Sequence, residues 1–204
     1  MSLVNYATCE ITCKIVYYGP GRSGKTTNLH YIYGQVPEDR KGKMVSLATQ
    51  TDRTLFFDFL PLDLGSISGF TTKFQLYTVP GQVYYQATRK LVLQGADGVV
   101  FVADSQARQL DENIESFQDL HANLSDQGID PRSMPLVVQY NKQDLPPELI
   151  RPAAELSDAI NFRDVPEFSA DALHGPGVFE TLRGISEIVL RRLSTGGSAA
   201  AAPK

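Results

Sequence analysis

The chain has 204 residues and a net charge of −4 from 19 Lys and Arg against 23 Asp and Glu. That length suits one domain with a sizeable core, and the charge gives no electrostatic case for nucleic acid or an anionic membrane. The two cysteines, Cys9 and Cys13, have no second ligand pair nearby. They read as reduced thiols on one side of a strand in a cytosolic protein.

In chain order, residues 11–18 alternate β-branched and aromatic side chains like a strand, and residues 27–33 repeat apolar positions at helical spacing. Between them lies Gly19-Pro20-Gly21-Arg22-Ser23-Gly24-Lys25-Thr26, which fits the phosphate-loop pattern in the strand, loop, helix context that the pattern requires. Glycines at 19, 21 and 24 let successive N–H groups turn inward toward phosphate oxygens beside a helix N-terminus. Lys25 would hold the β and γ phosphates, and the Thr26 hydroxyl would ligate Mg²⁺, a hard cation that prefers oxygen donors. Ser23 and Thr27 complete the expected nucleotide-binding loop. Arg22 at its apex faces either solvent or a ligand.

Arg53 and Thr54 precede an apolar run at residues 55–60 that reads as a buried strand. Thr54 is placed like a switch threonine that completes Mg²⁺ coordination when GTP is bound. Arg53 has two open readings, a surface charge at a strand start or an arginine finger supplied in cis, an effect worth about 10³ to 10⁵ in rate. Residues 65–69 join two strand-like runs and predict an antiparallel, hairpin-like edge. After the alternating run at residues 73–77 comes Thr78-Val79-Pro80-Gly81-Gln82, in the position of a γ-phosphate-sensing loop. Gly81 would give its N–H to the γ-phosphate and Gln82 would orient the attacking water. Such loops normally begin with aspartate, and Thr78 offers the metal only a neutral hydroxyl.

Residues 97–103 form a second fully apolar strand, and residues 113–124 carry Ile114, Phe117, Leu120 and Leu124 at helical spacing. A third apolar run, residues 135–140, ends at Asn141-Lys142-Gln143-Asp144. This places a guanine-reading motif at the C-terminal end of a strand, where open α/β sheets bind ligands. Asp144 can accept from guanine N1–H and its exocyclic amine, a donor pair that adenine lacks. Asn141 would brace the loop, the Lys142 stem would pack over the ring, and Ser169 with the Ala170 N–H would support guanine O6. Residues 179–193 repeat the helical pattern, and residues 194–204 read as a flexible tail behind a domain at 1–193. Strands alternating with helices predict a mostly parallel central sheet flanked by helices on both faces. His30, His121 and His174 are scattered and read as packing residues.

Together these residues resemble the MglA family, bacterial Ras-like small GTPases of cell polarity and gliding motility. The resemblance is carried by Tyr17-Tyr18-Gly19-Pro20-Gly21, by Gly24 to Leu29, by Asp52 to Pro61, by Leu76 to Val83 and by Asn141 to Asp144. It extends over residues 5–193, and Thr78 is itself a mark of that family. The resemblance implies a P-loop NTPase of small GTPase fold that binds GTP or GDP with Mg²⁺ and hydrolyses GTP with Arg53 and Gln82 as catalytic pair. It also implies a Roadblock-fold GTPase-activating partner, MglB-like and dimeric, that orders these residues in place, together with effectors of motility or polarity.

Neither terminus matches a lipidation motif, so no direct lipid anchor is expected. Any recruitment from the cytoplasm to a cell pole would run through protein partners. A competing reading is a GTP-loaded scaffold that barely hydrolyses, and a nucleotide kinase or ATPase is opposed chiefly by Asp144.

Overall fold

The computed structural model describes residues 3–5, 8–47, 57–67, 70–81 and 85–197. Strand β1 (Leu3–Asn5) is followed by β2 (Glu10–Tyr18), α1 (Lys25–Gln35), β3 (Val45–Leu47), β4 (Phe57–Ile67), β5 (Phe70–Thr78) and α2 (Gln86–Leu93). The chain continues through β6 (Gly98–Asp104), α3 (Leu110–Asp126), β7 (Leu136–Asn141), α4 (Ala153–Ile160), β8 (Glu167–Ser169) and α5 (Val178–Gly197).

The sheet runs β3-β4-β5-β2-β6-β7-β8, with β1 antiparallel to the start of β2. Strands β5, β2, β6, β7 and β8 are mutually parallel, whereas β3, β4 and β5 pair antiparallel. Every residue of β6 and β7 is buried, as expected of parallel strands covered on both faces. Alternation along β2 divides the core. Val16 and Tyr18 face a cluster with α2, α3 and α4, while Ile15 and Tyr17 face one with α1 and α5. A Cβ at Gly98 would lie 2.6 Å from Val189, so the bare backbone there lets α5 settle on β6. A buried polar bridge ties α1 to β7 and α5. Asn28 and Gln139 exchange amide hydrogen bonds of 2.8 and 3.0 Å, and Gln139 donates to Thr181 at 2.9 Å.

The expected mostly parallel sheet with helices on both faces is present. The expected antiparallel β4–β5 pair is present, and the three-residue strand β3 covers only Phe57, Asp58 and Phe59 of β4, at the end away from Ile67. Two expectations change. Cys9 does not share a face with Cys13: it sits before β2 in a left-handed turn (φ 51°) and is exposed, while Cys13 is buried and its thiol is pushed up to about 12 by desolvation. The final helix also continues past Leu193 to Gly197, where Ser194 Oγ bonds the Leu190 carbonyl and extends the helical pattern. No helix among the described residues is long and apolar enough to cross a membrane.

Candidate nucleotide site

Because five strands run parallel, their C-terminal ends lie along one edge, and the loops after β2, β5, β6, β7 and β8 converge there. The loop between β2 and α1 wraps a buried ammonium. Lys25 is 6% exposed and its Nζ donates to the Gly19 and Pro20 carbonyls at 2.9 and 2.6 Å. Desolvation, with a further push from the nearby Arg89 charge and opposition from Asp58, lowers its pKa to about 7. No carboxylate pairs with it among the described residues, so a charge is held ready for an anion. Beside it opens a cleft of about 480 Å³ whose lining includes Arg22, Thr26, Thr27, Asp58 and Gly81. Arg22 is exposed at the rim with φ 63°.

Asn141 joins the two sequence motifs physically. Its Nδ2 donates to the Ser23 carbonyl at 2.7 Å, and its Oδ1 accepts from the Ala172 N–H at 2.9 Å. Gly24, with φ 101°, makes room for this clasp, since a Cβ there would fall 2.1 Å from Asn141 Nδ2. Lys142, in left-handed backbone at φ 73°, pairs with the buried Asp104 carboxylate at 2.5 Å. Asp144 is exposed beyond it, and its carboxylate lies within 4.8 Å of the ligand atoms of Asp171 and His174. His174 is therefore not an isolated surface ring: its Nδ1 contacts Asp171 at 2.6 Å.

Ala170 departs from expectation. Its N–H donates to the Tyr140 carbonyl at 2.8 Å, continuing the β7–β8 ladder, and so is not turned toward a base. Ser169 is the last residue of β8 and has an exposed side chain.

The γ-phosphate side shows a feature that sequence reading missed. Thr78 lies opposite Asp58 across the antiparallel β4–β5 pair and bonds it twice: the Asp58 N–H donates to Thr78 Oγ1 at 2.8 Å, and Thr78 Oγ1 donates to Asp58 Oδ2 at 2.9 Å. The same carboxylate accepts from Thr26 at 2.6 Å and Ser46 at 2.7 Å. A carboxylate on the neighbouring strand thus stands beside position 78. Its only sequence signal was an aspartate in an otherwise apolar run. Thr26 gives its proton to Asp58 and keeps lone pairs for a cation, so this all-oxygen group fits a hard divalent ion such as Mg²⁺.

Gly81 is seated on the phosphate loop, where a Cβ would lie 2.3 Å from the Gly21 nitrogen. Of the expected site residues, Gly24, Lys25, Thr26, Thr27 and Gly81 line the cleft, Gly19, Gly21 and Ser23 belong to the same loop, and Asn141, followed by Lys142, is tied to that loop at Ser23. Arg53, Thr54 and Gln82 lie outside the described residues.

The buried Lys25 makes a pH prediction. Its value of about 7 lies below the ordinary 10.5, so the free protein binds fewer protons than the unfolded chain between those values and gains stability as pH rises through that window. Bound phosphates restore the ammonium. Calorimetry of GDP binding at pH 8.5, in buffers of different ionisation enthalpy, should therefore show uptake approaching one proton, falling toward none below about pH 6. Equal heats in all buffers at pH 8.5 would contradict this.

The model of the ADP-ribosylation factor family matches residues 2–189. The chain is 56% identical over 197 residues to the mutual gliding-motility protein MglA of Myxococcus xanthus (strain DK1622), covering 97% of this chain and 100% of that protein. It is also 25% identical over 187 residues to ADP-ribosylation factor-like protein 6 of Caenorhabditis briggsae, covering 89% and 88% of the two chains.

Proposed function

The chain belongs to the ADP-ribosylation factor family of small GTPases, in its MglA branch, and from that membership we propose that it is a GTP-hydrolysing switch controlling gliding motility and cell polarity. The observation that carries the reading is the clasp from Asn141 to the Ser23 carbonyl. It locks a guanine-reading loop to a phosphate loop around an unneutralised buried lysine.

In this reading Lys25 and the loop amides hold the phosphates, while Asn141, Lys142 and Asp144 hold the base. Ser169 flanks the base from the β8 loop. Thr26 holds Mg²⁺ with Asp58 behind it, and Thr54 joins when GTP is bound. The metal neutralises charge developing on the phosphate oxygens. Gly81 senses the γ-phosphate, Gln82 orients the attacking water, and Arg53 supplies the positive charge in cis. Loss of the γ-phosphate releases Thr54 and Gly81 together, which is the switch. A Roadblock-fold partner, dimeric and MglB-like, would accelerate hydrolysis by ordering Arg53 and Gln82. Effector proteins would bring the chain from the cytoplasm to a cell pole.

Two variants test these roles. Gln82→Ala should leave GTP affinity within about twofold and slow single-turnover hydrolysis roughly tenfold to a hundredfold. A variant that hydrolyses at the parental rate removes Gln82 from the chemistry. Asp58→Asn keeps the side-chain shape but loses the charge and one of the two acceptor oxygens, and should raise the Mg²⁺ concentration needed for half-maximal GTP binding about tenfold. An unchanged Mg²⁺ requirement would make Asp58 only a structural partner of Thr78.

A further inference from the structure

Behind the phosphate loop, on the side away from the nucleotide cleft, lies a second cavity of about 100 Å³. Gly21 and Gly81 form one wall, Arg89 of α2 another, and Glu112, Glu115, Ser116 and Asp119 of α3 the third. The size excludes a nucleotide or a peptide backbone, since it holds only about three water volumes.

The charges in this wall do not balance. Asp119 Oδ2 is committed to α2 and the core, accepting from Arg89 at 2.9 Å, from Asn123 at 2.9 Å and from the Tyr18 hydroxyl. Glu112 and Glu115 are exposed and make no ion pair among the described residues. Ser116 adds an independent sign. It is 5% exposed, yet its Oγ has no partner. Buried helical serines commonly bond the carbonyl four residues back, as Ser186 does here to Leu182 at 2.7 Å, whereas Ser116 leaves its hydroxyl uncommitted in the cavity wall. An uncommitted buried acceptor beside two uncompensated carboxylates calls for a donor-rich cation.

We propose that this cavity is a docking site for an arginine side chain of a protein partner. Its guanidinium would reach the Ser116 hydroxyl between Glu112 and Glu115. A guanidinium suits the site better than a simple ion because its planar fork of five donors can serve two carboxylates and a hydroxyl at once. The mouth is rimmed by exposed carboxylates of α3, which a side chain on a partner's surface can reach.

Occupancy is coupled to the nucleotide. Gly81 lines both this cavity and the nucleotide cleft, and it rests directly on Gly21. A guanidinium lodged here favours the arrangement in which Gly81 stays seated on the phosphate loop. By linkage, nucleotide held under that loop favours the guanidinium in turn.

The test uses the full chain loaded with a non-hydrolysable GTP analogue and N-acetyl-arginine amide, with the citrulline counterpart as an uncharged isostere. Amide chemical shifts of residues 112–119 should move saturably with the arginine compound at millimolar concentration and not with citrulline. The exposed double variant Glu112→Gln/Glu115→Gln should weaken binding at least tenfold, and Ser116→Ala at least threefold. At saturation, release of a fluorescent, non-hydrolysable GTP analogue should slow at least threefold. Absence of saturable shifts, equal binding of citrulline, or equal binding by the double variant would overturn the site. Binding with unchanged or faster release would overturn the coupling. Because these readouts involve no hydrolysis, they stand or fall separately from the proposed catalytic roles.

Discussion

Asp144→Asn should lower GTP affinity roughly 10³-fold while raising affinity for xanthosine triphosphate above that of the parent protein. The carboxylate is acceptor-only, and in its proposed role it takes two guanine donors, N1–H and the 2-amino group. The amide offers one acceptor and one donor. Against guanine its NH₂ faces the 2-amino group, so two donors meet and a charge-assisted pair is lost, together worth about 4 kcal/mol. Xanthine carries a carbonyl at that position, and the same NH₂ then finds an acceptor. Asp144 is exposed, so the substitution leaves the core untouched and any loss belongs to recognition. Competition of fluorescent GDP by the two triphosphates reads both arms. Unchanged GTP affinity in the variant would remove Asp144 from base reading and reopen the kinase or ATPase alternative.

Lys25→Met should move stability and binding in opposite directions. The ammonium lies at 6% exposure with only two carbonyls for partners, and burial already pulls its pKa to about 7. A methionine of similar length removes that desolvation penalty, so the nucleotide-free protein should melt several degrees higher at pH 6, with the gain shrinking toward pH 9 as the parental lysine neutralises. The same change removes the one buried cation aimed at the β and γ phosphates and should weaken GDP and GTP binding by about 10² to 10³. Thermal melts with and without nucleotide separate the two effects. A variant that is destabilised without nucleotide would mean that Lys25 is a structural pillar of the loop and not a charge held in waiting.

The parts of this site that were legible in the sequence are those built from neighbours in the chain. Gly19 to Thr26 and Asn141 to Asp144 carry their geometry locally: a strand end, glycines where the backbone must turn, and a following helix or ladder. The long apolar strands β6 and β7 and the periodic helices α3 and α5 were equally plain. What escaped depends on strand register. Asp58 matters because β4 runs antiparallel to β5 and brings it opposite Thr78, a pairing between residues twenty positions apart that no local pattern encodes. Read alone, Thr78 offered only a neutral hydroxyl; the strand pairing sets the Asp58 carboxylate beside it. Ala170 failed for a related reason. The β7–β8 ladder extends one residue further than the motif suggests and takes up its N–H. Strands β1, β3 and β8 are three residues each, too short for alternation to show, and they exist because longer neighbours offer them an edge.

The clasp through Asn141 also explains why the two motifs act as one site. Its amide spans the Ser23 carbonyl and the Ala172 N–H, so the phosphate loop, the base loop and the β8 loop share one side chain, and Gly24 is the position that lets it pass.

The central claim is a GTP-specific hydrolytic switch. Its most direct test is multiple-turnover phosphate release from GTP by the full chain with Mg²⁺, alone and with a Roadblock-fold partner, with ATP as control. Slow basal GTP hydrolysis that the partner accelerates at least tenfold, with ATP inert, is the expected result. Tight GTP binding without hydrolysis under either condition would contradict the switch and leave a GTP-loaded scaffold, and equal turnover of ATP would contradict the guanine-reading role assigned to Asp144.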